Sequence, residues 1–168
     1  MKLLVGVHRK GAISLPNLLS SMKNDRNFRR AGALGIFIGV VRGDSSKGGK
    51  VENLELEAYE EKANETLRGI CRDLKAKEGV VDVQIYHFLG EFDIGEDLVY
   101  VVVAGAHRQN VFPVLEEAVE RYKKEAPIFK KEQIIDEKGE RKSFWVAEHE
   151  DRQKIPRKQD KRVYNMQY

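Results

Sequence analysis

Leu98-Val99-Tyr100-Val101-Val102-Val103-Ala104-Gly105-Ala106-His107-Arg108 decides the fold. A strongly apolar, valine-rich strand hands over here to a His-Arg pair and then to a helical pattern. The helix is predicted to start near Asn110. Its stripe is Val111, Val114, Leu115, Ala118, Val119 and Tyr122, at i, i+3, i+4, i+7, i+8 and i+11. His107 and Arg108 therefore stand where a strand meets a helix. Backbone N–H groups at a helix start attract anions, and an arginine adds a bidentate donor set for phosphate or carboxylate.

Working outward, Val81 to Leu89 reads as a second strand, joined to the first through residues 90–97. Ala33 to Arg42 (ALGIFIGVVR) is nearly continuously apolar, as a strand covered on both faces would be. Gly43 to Lys50 is a flexible glycine-rich loop, and Leu54, Leu56 and Ala58 alternate with Glu55 and Glu57 as a half-exposed strand should. Glu60 to Lys77 is a helix, acidic in its first turn. Ala63, Leu67, Ile70, Cys71 and Leu74 line one side of it, and Gly79 lies just past its end. Leu3 to Val7 forms a short strand. A first helix follows, with Ser14 as its N-cap and Pro16 in its first turn. At the other end, strands over about 128–135 and 143–148 form a hairpin turned by Asp136 to Gly139. The order predicts an α+β fold with a mixed sheet.

The chain has 168 residues, enough for one core, with residues 1–150 as one domain and 151–168 as a basic C-terminal arm. A formal net charge of +3 does not by itself argue for nucleic acid. A single cysteine, Cys71, excludes an internal disulfide and a Cys-rich metal site. The apolar run at the N-terminus is too short for a secretory segment, and no stretch approaches the ~20 apolar residues of a membrane span. A cytoplasmic protein is expected.

The chemistry-bearing residues are mostly cations. Lys123 continues the row Leu115, Val119 at i+8 and so flanks the buried stripe, whereas Lys124 points to solvent. A lysine there can simply snorkel, or it can act as a general acid or base or as an amine nucleophile. Lys130 follows Pro127, where the chain turns back past the helix end. Arg42 ends an apolar strand at the mouth of the glycine-rich loop. That loop is not a nucleotide-binding loop. Gly49 occupies the place of the required lysine, Val51 follows Lys50, and a strand follows rather than a helix. His8, His87, His107 and His149 are scattered without metal-ligand spacing. Cys71 belongs to an apolar helix face, and no Gly-x-Ser-x-Gly elbow is present. An enzyme built this way acts on a small phosphorylated anion through Lys, Arg and His. The chain offers no obvious nucleophile beyond lysine, which leaves room for a reactive atom carried by a substrate or partner.

These residues fall into blocks that resemble one family. They are Phe37-Ile38-Gly39-Val40-Val41-Arg42, Leu56-Glu57-Ala58-Tyr59, His87-Phe88-Leu89-Gly90-Glu91, Ile94-Gly95-Glu96, Ala106-His107-Arg108 and Lys123 through Glu132. In this order and spacing the chain resembles the large, catalytic subunit of molybdopterin synthase from about Gly32 to Val146. The resemblance implies an α+β hammerhead-type core with an added antiparallel β-subdomain. It implies a sulfurtransferase of molybdenum cofactor biosynthesis that converts cyclic pyranopterin monophosphate into the dithiolene molybdopterin. Sulfur would come from the thiocarboxylated C-terminal Gly-Gly tail of a small ubiquitin-like carrier subunit. Two large subunits would form a dimer within a heterotetramer, with no metal or cofactor of their own.

Carried over by motif, Lys123 and Lys130 would be the catalytic lysines. Arg42, His107 and Arg108 would hold the substrate, with Phe37 walling its pocket. Some members of the family carry an arginine that reaches across the dimer, four residues past the last-strand tryptophan. His149 stands there in this chain, with Arg152 three residues on. Two other readings use the same cations: a non-catalytic anion- or RNA-binding module, and a structural partner that has lost catalysis. The aromatics are not interleaved with basic residues as in a single-strand binder, so nucleic acid is not an expected partner. Retention of both lysines and of His107-Arg108 argues against lost catalysis.

Overall fold

A computed structural model describes residues 3–146. Its hub is the long strand β4 (Val80–Phe92), hairpinned to β5 (Asp97–Gly105). The first part of β4 pairs antiparallel with β5 and parallel with β1 (Gly6–Arg9). Its last residues, Gly90 to Phe92, pair instead with β3 (Lys50–Ala58). β2 (Ala33–Val40) closes one side on β5, while β6 (Ile128–Ile135) and β7 (Arg141–Val146) continue from β3. The sheet order is β2-β5-β4-β3-β6-β7, with β1 as a parallel branch on β4. The fold is α+β with a mixed sheet, and β3, β6 and β7 form the added antiparallel part.

Helices α2 (Glu60–Lys75) and α3 (Arg108–Glu125) cover one face of β4 and β5, and α1 (Leu15–Lys23) packs on the other. Leu67, Ile70 and Leu74 of α2 meet Ile85, Val101 and Val103, together with Val111, Val114 and Ala118 of α3. On the reverse face Leu18 and Met22 join Tyr86, Phe88, Tyr100 and Val102. Both faces of β4 and β5 are thus dry, which explains their unbroken apolar runs. Burying one such Leu or Val contributes about 2 kcal/mol, so these two layers hold the scaffold rigid.

Strand β1 runs Gly6–Arg9 rather than Leu3 to Val7, and β4 runs on to Phe92 rather than ending at Leu89. Three other boundaries differ from expectation for a plain local reason. Helix α3 begins at Arg108, because Asn110 belongs to its first turn. The Asn110 Oδ1 accepts the His107 N–H at 3.2 Å, and its amide donates to the Glu78 carbonyl at 3.1 Å. Gly79 permits that contact: it has φ +74°, and a Cβ there would lie 2.3 Å from the Asn110 amide. Strand β2 ends at Val40, because Val41 leaves it to bond the β4–β5 turn at Gly95 and Glu96. Strand β7 begins at Arg141. In the preceding turn the Asp136 carboxylate accepts the N–H groups of Lys138 and Glu140, each at 2.9 Å.

Candidate active site

The β3–β6 ladder pairs Leu54 with Glu132 and Leu56 with Lys130. Side chains two apart on a strand share a face, so Lys130 and Glu132 point the same way as these leucines. The last turn of α3 brings Lys123 beside this face, and Phe37, Gly39 and Arg42 come from β2 and the residues just after it. Together they line a cleft of about 560 Å³. The Lys130 Nζ lies 3.9 Å from Glu132, with only 16% and 8% of the two side chains exposed. The Glu132 carboxylate accepts the Ser45 hydroxyl at 2.6 Å, which ties the glycine-rich loop to the cleft. Arg42 donates from Nε to the Asp44 carbonyl at 3.2 Å. Neither Arg42 nor Lys123 has an ion-pair partner among the described residues. Arg42, Lys123 and Lys130 thus face Glu132 and Asp44, an arrangement that favours an anionic ligand.

His87, which sequence spacing leaves among the scattered histidines, also lines this cleft. It is 2% exposed and stands edge-on to Tyr122, with ring centroids 5.6 Å apart. Its Nδ1 lies 3.2 Å from the Phe88 carbonyl. Burial pushes the imidazole down to about 4, against the pull of that carbonyl and with help from the Lys123 charge. The ring is neutral at pH 7, so the cations beside it meet no further charge. Serine, glutamate and histidine contributions at Ser45, Glu132 and His87 were not among the residues singled out by sequence. For Glu132 a signal existed, since it sits at i+2 from Lys130 on an alternating strand.

His107 and Arg108 are not brought to this cleft within one chain. They are exposed at the start of α3, and Lys123 lies about 22 Å further along the axis at the rise of an α-helix. His149, expected across a dimer, lies outside the described residues, as does the basic arm. Cys71 is buried, and burial pushes its thiol up to about 12, so it is no thiolate nucleophile. A second groove of about 480 Å³, lined by Tyr59, Phe129 and Trp145 among others, lies on the opposite face of β6 and gathers no pair of cations. No helix among the described residues is long and apolar enough to cross a membrane, and no group of three metal-ligating side chains occurs among them.

The family model for MoaE proteins matches residues 7–125, which includes Lys123 and stops short of Lys130. The chain belongs to the MoaE protein family. Curated relatives extend the likeness of this MoaE-family chain. It is 35% identical over 139 residues to the molybdopterin synthase catalytic subunit of Bacillus subtilis, covering 83% of this chain and 82% of that one. It is 36% identical over 135 residues to a Haloferax volcanii protein named probable molybdopterin synthase, covering 80% of this chain but spanning only 50% of that longer protein. Among solved structures, molybdopterin synthase from Staphylococcus aureus superposes with a TM-score of 0.73 at 29% identity, over 87% of this chain and 98% of that one. The complex of subunits 1 and 2 of molybdopterin-converting factor from Helicobacter pylori gives 0.63 at 26% identity, over 81% and 86%.

Proposed function

We propose that this MoaE-family chain is the catalytic subunit of a molybdopterin synthase, a sulfurtransferase that makes the dithiolene of molybdopterin from cyclic pyranopterin monophosphate. The observation that carries the reading is the convergence of Lys123 and Lys130, from a helix and a strand, beside Arg42 in one cleft. The sulfur donor is a thiocarboxylate on the C-terminal tail of a small carrier subunit, and the Helicobacter pylori complex of two subunits supports such a partner. In each of two rounds, one per sulfur, the thiocarboxylate sulfur bonds to a side-chain carbon of the pterin and the carbon–oxygen bond there breaks, the oxygen leaving on the opened cyclic phosphate in one round and as water in the other. Water then cleaves the acyl–sulfur bond, the sulfur stays on the pterin, and the carrier leaves as a carboxylate. Both steps place negative charge on oxygen, and fixed cations in a site that partly excludes water stabilise it. Lys123 serves the carrier's acyl group by proton transfer, Lys130 serves the pterin, and Arg42 holds the phosphate, with Phe37 as a wall.

His107 and Arg108 can join the same substrate only from a second copy, given their distance from Lys123. An open apolar strip on β2 supports a homodimer: Ile36, Ile38 and Val40 are 36%, 39% and 52% exposed along the edge strand whose other side carries Phe37 and Gly39. The test is complementation. Lys123→Ala and Arg108→Ala chains are each assayed with thiocarboxylated carrier and substrate, then mixed and re-equilibrated. Two inactive variants that regain dithiolene synthesis when mixed support the shared site. No product from wild type with carrier bound sinks the enzyme reading.

A further inference from the structure

The backbone leading into Arg42 is held by a turn. Val41 donates its N–H to the Glu96 carbonyl at 3.1 Å and accepts the Gly95 N–H at 2.9 Å. Ile94 stands beside Gly43: a Cβ built on Gly43 would lie 3.6 Å from the Ile94 Cδ1. The backbone that enters Arg42 is therefore held by Gly95 and Glu96, at the tip of the β4–β5 hairpin, while the side chain itself bonds the Asp44 carbonyl. That tip is not rigid by itself, since Gly95 has φ +85° and Ile94 is 54% exposed.

The Glu96 carboxylate holds the tip. One oxygen, Oε2, accepts both the Asp93 N–H at 2.7 Å and the Lys10 ammonium at 2.5 Å. Lys10 is itself anchored. Its backbone N–H donates to the Leu89 carbonyl at 3.0 Å and its ammonium to the Glu91 carbonyl at 3.1 Å, 5.3 Å from the centre of the Phe92 ring. A continuous set of bonds thus runs from the turn after β1, through Glu96, to Val41, the residue before Arg42.

We propose that Glu96, clamped by Lys10, is a positioning residue that aims Arg42 into the cleft and sets its affinity for the anionic group of the ligand. The inference rests on the reading of the cleft as an anion site. A half-exposed ion pair adds little to global stability, whereas small displacements of a substrate-holding group are costly to binding and rate. The effect should therefore fall on anion affinity and pass through Arg42.

The experiment titrates inorganic phosphate into the full chain by phosphorus NMR, with thermal unfolding followed in parallel. The proteins are wild type, Glu96→Ala, Lys10→Ala, Lys10→Arg, Arg42→Ala and the Glu96→Ala/Arg42→Ala double variant. Glu96→Ala and Lys10→Ala should each weaken phosphate binding about fivefold, and Glu96→Ala should add nothing in the Arg42→Ala background. Lys10→Arg should keep near wild-type affinity. In turnover, Glu96→Ala should raise KM for cyclic pyranopterin monophosphate about fivefold with kcat within about twofold. Unchanged phosphate affinity in Glu96→Ala, or an equal loss with and without Arg42, overturns the proposal. A wild type that binds phosphate but makes no dithiolene sinks the proposed function while the titration still decides this one. Normal turnover with no phosphate affinity removes the anion role of Arg42, and this inference with it.

Discussion

His87 makes the pH dependence of stability predictable. Its imidazole is fully buried and is held at about 4, against an ordinary 6.5. Its folded-state pKa is depressed, so the unfolded chain binds a proton that the folded chain refuses across the window from 6.5 down to about 4. Stability from this group is complete above pH 6.5 and is lost as pH falls through that window. At 1.36 kcal/mol per unit, the loss between pH 7.5 and pH 4 comes to about 3 kcal/mol.

His87→Phe keeps an aromatic ring against Tyr122 and removes the titration. The substitution carries its own cost from the lost Phe88 contact, but that cost does not vary with pH. Other groups also titrate on acidification: Glu96, held low chiefly by Lys10, and Asp136, held low chiefly by Lys142. They titrate equally in both proteins, so the difference between the two isolates His87. Urea unfolding at several pH values between 7.5 and 4 measures it. Wild type should lose about 3 kcal/mol relative to His87→Phe over that range. Parallel pH profiles would refute the reasoning, since they would mean that His87 titrates alike in folded and unfolded chains.

Four further outcomes follow from the same geometry. Gly39→Ala places a Cβ 2.7 Å from the Val99 Cγ1 and 3.5 Å from the Phe37 ring, so it should narrow the cleft and raise KM severalfold in steady-state assays. Cys71→Ala should leave kcat within about twofold, because a buried thiol held near 12 takes no part in catalysis. Leu67→Ala removes a fully buried side chain from the layer between α2 and the sheet. It should cost about 2–5 kcal/mol in denaturant unfolding. Ser45→Ala removes the hydroxyl on Glu132 and frees the glycine-rich loop, which should appear as faster proteolysis within residues 43–50 at unchanged thermal midpoint.

Much of the scaffold could be read from spacing. The stripe from Val111 to Tyr122 and the alternation of Leu54, Leu56 and Ala58 each specify one face, and those faces are the ones that pack. On β4 the same logic is silent. Both of its faces are buried, so nothing in its pattern says which side chains line a cleft, and His87 could not be told from a core residue. Lys123 was legible because it continues the row of Leu115 and Val119 beside the buried stripe, and Lys130 because it follows Pro127 where the chain turns back; the family resemblance joined the two. Glu132 was equally accessible by strand alternation and was passed over. Within one chain His107-Arg108 stand apart from Lys123, because one helix separates them and its rise per residue fixes the gap. The short 3-10 helix at Arg26–Arg30 begins where Asp25 accepts the Asn27 N–H at 2.9 Å, a local bond without any apolar period to announce it.

The most direct test of the central claim is a single-turnover reaction of wild type and Lys123→Ala with thiocarboxylated carrier and cyclic pyranopterin monophosphate, with carrier affinity measured alongside. Wild type should give dithiolene and the variant a rate at least about 100-fold lower, with carrier affinity changed by less than about threefold. A variant that turns over normally, or one whose lost rate is matched by lost carrier binding, would contradict a catalytic role for Lys123 in this cleft.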